Sequence, residues 1–123
     1  MAIDPALART SLAGVRIVMG TLGLFAPQVL LRRVGTDPAV DPSGVYPFRM
    51  FGIRTIVIGA DLLLLKGDDR RRATRLAVLI HASDTVSAAA AGLQGYLPRR
   101  AAVMTTAISG LNTALAVLAT REA

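Results

Sequence analysis

Four apolar stretches divide the chain, at about Leu12–Leu31, Phe48–Leu65, Ala73–Gln94 and Ala101–Thr120. Each holds 18 to 22 residues. A helix rising about 1.5 Å per residue needs roughly 20 residues to cross a hydrocarbon core about 30 Å thick. Polar turns separate the stretches. Arg32-Arg33 closes the first, and Gly35-Thr-Asp-Pro with Asp41-Pro-Ser-Gly makes a loop of turn residues. Lys66-Gly-Asp-Asp-Arg-Arg-Arg forms a short charged turn after the second. Gly95-Tyr-Leu-Pro-Arg-Arg joins the third to the fourth, with Tyr96 suited to a membrane interface. The pattern predicts an all-α fold: a membrane-embedded antiparallel four-helix bundle, with residues 1–123 as a single transmembrane domain. The competing expectation is a soluble four-helix bundle, whose helices need a clear polar face. Thr55–Leu65 carries only Thr and one Asp as polar residues, and Ala101–Ala119 carries no charge.

Composition agrees with the pattern. The chain is 53% hydrophobic but only 4% aromatic, so its apolar surface is mostly aliphatic. An apolar solvent removes the need to hide it. The net charge of +6 comes from thirteen Arg and one Lys against eight acids. A basic balance raises nucleic acid as a partner, but no basic stripe is interleaved with aromatics. The arginines sit mostly at span ends, where they fit lipid headgroups and topology. The expected partners are membrane lipids, together with a larger membrane complex or a homo-oligomer, and not nucleic acid. Met1–Gln28 reads as a retained first helix rather than a signal peptide, because Asp4 offsets Arg9, Arg16 interrupts the apolar run and no small-x-small site follows. The expected location is the cell (inner) membrane. Seven basic residues (Arg9, Lys66, Arg70, Arg71, Arg72, Arg75, Arg121) fall on the side of the termini, against Arg32, Arg33, Arg49, Arg99 and Arg100 opposite. That split favours cytoplasmic termini.

The informative residues are the ionisable ones inside the spans: Arg16, Arg54, Asp61, His81 and Asp84. Each costs on the order of 2.5–3.5 kcal/mol at a helix centre on insertion scales, so it is normally paired or functional. Treating the second and third helices as a hairpin centred near residues 69 and 70 puts Arg54 beside Asp84. The next hairpin, centred near residue 98, puts Asp84 level with Asn112 and Ser87 with Ser109. Two polar layers are therefore expected. Arg54, Asp84 and Asn112 lie towards mid-membrane with His81 one turn away, and Arg16 pairs with Asp61 nearer the termini. Arg49, near a span end, is counted with the mid-membrane group as a ligand-binding polar centre and is placed to snorkel to the headgroups. Helical phase supports this, since Arg54 and Asp61 are seven apart on one face. His81, Asp84 and Ser87 share another face, and Thr105, Ser109 and Asn112 form a polar stripe. Gly20 and Gly23 on the Arg16 face, Gly52 and Gly59, Ala88/Gly92 and Gly110/Ala114 suit close helix packing.

Each feature has a structural and a functional reading. Arg54 with Asp84 is a bundle-holding ion pair or a counter-ion pair around an anionic headgroup, a substrate or a proton. Arg16 with Asp61 reads as structural. His81 and Asp84 are the candidate catalytic pair, a base with its orienting carboxylate. No cofactor is expected, nor a metal, because no span offers a second His, a Cys or a Glu. With no Cys in the chain, disulfide and thiolate chemistry are excluded.

Tyr46-Pro-Phe-Arg-Met-Phe-Gly-Ile-Arg-Thr-Ile-Val-Ile-Gly carries Arg49, Gly52, Arg54 and Gly59. It resembles the R-x-x-G-x-R-x4-G pattern of small four-helix integral membrane proteins that form a domain family of unknown function. The Pro- and Asp-rich loop before that helix and Asp84 in the third helix fit the same family. The resemblance implies a fold and a membrane location, and it supplies no activity. Three functions remain open: an accessory subunit or lipid- or hydrophobic-ligand binder, a membrane-embedded enzyme acting on a lipophilic substrate, and a minimal proton-coupled transporter.

Overall fold

The fold is that of a computed structural model describing residues 3–122. It is all-α, and the described residues form five helices: α1 (Pro5–Phe25), α2 (Pro27–Arg33), α3 (Val45–Leu64), α4 (Gly67–Leu93) and α5 (Arg99–Ala119). Asp4 caps α1, its carboxylate accepting from the Ala6 amide at 3.1 Å. Pro5 then occupies the first turn, where its missing N–H costs nothing.

The first apolar stretch is not one helix. Pro27 cannot donate to the α1 ladder, and it forces Ala26 out of the helical region, to φ −137° and ψ 57°. The chain bends there by 105°, and α2 leaves at nearly a right angle. α2 ends in a Schellman turn, with the Thr36 amide donating to Leu31 O and the Gly35 amide to Arg32 O. Gly35 takes φ +86° in that turn and lies so close to Pro98 that a Cβ would stand 2.6 Å from the ring. The third stretch also differs from expectation. Its helix begins at Gly67, because Asp68 and Asp69 suit the positive end of a helix dipole, and the charged turn shrinks to Leu65-Lys66.

Packing is set by small residues. α1 and α3 run antiparallel with backbones nearly touching: a Cβ on Gly20 would lie 2.7 Å from Gly52 O, and one on Gly59 2.9 Å from Ala13 O. α4 and α5 pair in the same way, with Thr85 and Thr113 hydroxyls 3.2 Å apart. α1 joins the two pairs through α5, so the order in space is α3–α1–α5–α4, and α3 meets α4 far less. Leu12, Ala13, Leu62, Ala77 and Ala116 form the buried core from all four long helices.

α4 and α5 are each long and apolar enough to cross a membrane. α1 with α2 meets that standard only as a bent pair. α3 falls short because every 18-residue stretch of it contains Arg49, Arg54 and Asp61. The outward faces of the two qualifying helices are apolar, and Leu79, Val86, Val103 and Leu111 are each at least 60% exposed.

Candidate functional site

Because α3 and α4 are held apart, a cleft of about 440 Å³ opens between the α1/α3 pair and the α4/α5 pair. Leu30 of α2 lines it, as do Phe48 and Phe51 of α3. Met104 and Ile108 of α5 complete the apolar wall. The polar part of the lining is Arg16 of α1, Asp84 and Ser87 of α4, and Thr105 and Ser109 of α5. The volume lies within the ~300–1,000 Å³ of small-molecule sites, and an apolar wall with a few polar groups is their usual makeup.

Arg16 is the notable member. It is only 5% exposed, it lines the cleft, and its Nε has no hydrogen-bond partner among the described residues. Asp84 shares the cleft lining with it, whereas the expected partner Asp61 does not, and Arg16 makes no ion pair among the described residues. Asp61 is half-buried and makes no ion pair among the described residues. The expected Arg54–Asp84 pair is likewise not formed, because Arg54 is exposed on α3. The cause is helical phase. Gly52, Thr55, Gly59 and Leu62 form the buried face of α3, and two residues on from Gly52 is about 200° around the helix. The glycine contacts with α1 therefore turn Arg54 away from the interior. Arg49 is exposed as well.

His81 is fully buried, and neither ring nitrogen has a hydrogen-bond partner among the described residues. Its Nδ1 stands 3.7 Å from Asp84 Oδ2, beyond hydrogen-bond range. Asp84 faces the cleft, but His81 is not part of its lining. Asn112 is buried one residue before the Thr113 that meets Thr85, and no hydrogen bond joins it to Asp84 among the described residues. The stripe on α5 is divided: Thr105 and Ser109 face the cleft, and Asn112 does not.

At its outer end the cleft continues into a notch of about 430 Å³, sharing Arg33 and Met104 with it. Arg32, Arg33 and Arg100 line this notch, and among the described residues no carboxylate does. The Gly35–Pro98 contact brings the end of α2 against the start of α5, which gathers these arginines. None of the three makes an ion pair among the described residues.

The opposite end of the bundle carries a polar clasp that the sequence reading did not anticipate. Arg9 is 8% exposed and donates from Nε to Glu122 Oε2 at 2.7 Å and from Nη1 to Leu62 O at 2.6 Å. Arg70 lies 3.7 Å from Glu122 Oε1 and donates from Nε to Leu65 O at 2.7 Å. Both arginines thus satisfy carbonyls at the α3 terminus that have no helical partner. The hydrogen bond from Arg9, reinforced by the charges of Arg9 and Arg70, holds the Glu122 carboxyl below the usual glutamate range, although partial burial opposes this. Glu122 is the only Glu in the chain, and that was the available signal.

The chain matches no family model, no curated protein and no solved structure.

Proposed function

We propose that this chain is a small integral membrane protein, a four-helix bundle whose first crossing is bent at Pro27, and that it binds an anionic amphiphile rather than catalysing a reaction. Alanine- and glycine-rich helix contacts and apolar outer faces support insertion, since packing of small residues replaces hydrophobic burial when the solvent is lipid. The carrying observation is the cleft itself, mostly apolar in its lining, with the buried and incompletely bonded Arg16 among its residues.

Leaving a buried donor unmet costs about 1–3 kcal/mol, and more for a charged group. An oxygen on the ligand body would meet Arg16 Nε, and the hydroxyls of Ser87, Thr105 and Ser109 offer further contacts. Lipid tails are as apolar as the cleft wall, so the wall alone selects little. Selectivity then falls to the polar part of the lining and to the arginine notch at the mouth, which suits a phosphate or carboxylate head.

Ala91 lines the cleft and is half-buried. Native mass spectrometry of gently extracted protein should show a retained amphiphile in the wild type. Ala91→Phe should lose it while helical circular dichroism is kept. A wild type that carries no amphiphile into the gas phase contradicts the reading.

A further inference from the structure

We infer that the outer face of α3 is an interface for a second copy of this chain, packed antiparallel. Met50, Arg54, Val57, Asp61 and Leu64 recur at spacings of 4, 3, 4 and 3 residues, the repeat that keeps one seam of a helix against a partner. α3 is the edge of the order α3–α1–α5–α4, and along this seam Val57 is 50% and Leu64 74% exposed. Arg54 and Asp61 carry opposite charges seven residues apart, roughly 10 Å along the axis. Neither forms an ion pair among the described residues.

Arg54 lies at the middle of α3, about as far from either helix end as the segment allows. A charge at such a depth in a bilayer is normally paired. Two orientations of a second copy can be separated by register. A parallel pair sets Arg54 against the partner's Arg54, which repels. An antiparallel pair with Val57 near the two-fold axis sets each Arg54 level with the partner's Asp61, so the same contact is made twice, as a closed two-fold interface requires. Charges within this arrangement balance. The weak seven-to-five split of basic residues between the two sides leaves both insertions open to the chain.

The interface does not depend on what the cleft binds. The chain has no cysteine, so introduced thiols report cleanly. Met50→Cys and Leu64→Cys proteins, made separately and mixed in mild detergent, should cross-link to each other and not to themselves. Self-cross-linking of Met50→Cys would mean a parallel pair and overturns the inference. On native mass spectrometry, Arg54→Asp should weaken dimerisation about tenfold or more. Adding Asp61→Arg to that variant should restore it. A wild type that is monomeric throughout, or a double variant no better than Arg54→Asp, also overturns it.

Discussion

The two ends of the bundle use arginine in opposite ways. At the end holding the termini, Arg9 and Arg70 converge on Glu122 and on the carbonyls of Leu62 and Leu65. At the other, Arg32, Arg33 and Arg100 surround a notch that no carboxylate lines among the described residues. The residue types are the same, but the surroundings differ. One group of guanidiniums ties α1, α3, α4 and Glu122 beyond the end of α5 into a closed clasp, and the other leaves its donors at the mouth of the cleft. Charge at the first end is therefore structural, and charge at the second is available to a ligand.

The sharpest way to break this contrast is to remove the centre of the clasp. Arg9→Ala removes the hydrogen bonds to Glu122 and to Leu62 O together, leaving Glu122 only the Arg70 ion pair among the described residues, and should cost on the order of 1–3 kcal/mol. Thermal unfolding in detergent would register this as a large fall in Tm, and an unchanged Tm would mean the clasp holds nothing. A smaller effect should follow from pH. The folded-state pKa of Glu122 is lowered, chiefly by the Arg9 hydrogen bond. Its contribution to stability is then complete above the ordinary glutamate value of about 4.3, and is lost as pH falls through the lower folded value. Stability profiles of wild type and Glu122→Gln should converge in acid below that value and separate above it. Parallel profiles would contradict the assigned role of this carboxylate.

The positions of the helices were legible in the sequence far better than their neighbours in space. Apolar runs punctuated by Arg32-Arg33, Lys66–Arg72 and Arg99-Arg100 located all four long helices, since burial and charge act on segments. The bend at Ala26 was missed because one proline in a long apolar run barely alters its hydropathy, yet it removes a donor and restricts the preceding residue. The site was legible in part. Arg16, Asp84, Ser87, Thr105 and Ser109 were all singled out, and they share one cleft. Their pairing was mistaken because chain adjacency was taken as spatial adjacency. The glycines of α1 and α3 permit a closer approach than the short α3–α4 turn enforces, and that approach fixes which way Arg54 faces. Comparing the phase of Gly52 and Gly59 with that of Arg54 would have revealed the conflict. The Arg9–Glu122 clasp was missed because its partners are separated by 113 residues, and no local pattern connects them.

The most direct test of the two-ended account removes equal charge from each end of the full chain. Arg33→Gln with Arg100→Gln alters the notch. Arg71→Gln with Arg72→Gln alters two exposed arginines at the clasp end, of which Arg71 pairs, among the described residues, only with exposed Asp68. Retention of a phosphatidylglycerol, measured by native mass spectrometry against a phosphatidylcholine with the same chains, is the readout. The account predicts that the first pair loses the preference for the anionic lipid and the second keeps it, with both folds intact. Equal loss from the two pairs would show that the arginines act only as diffuse surface charge, and would contradict it.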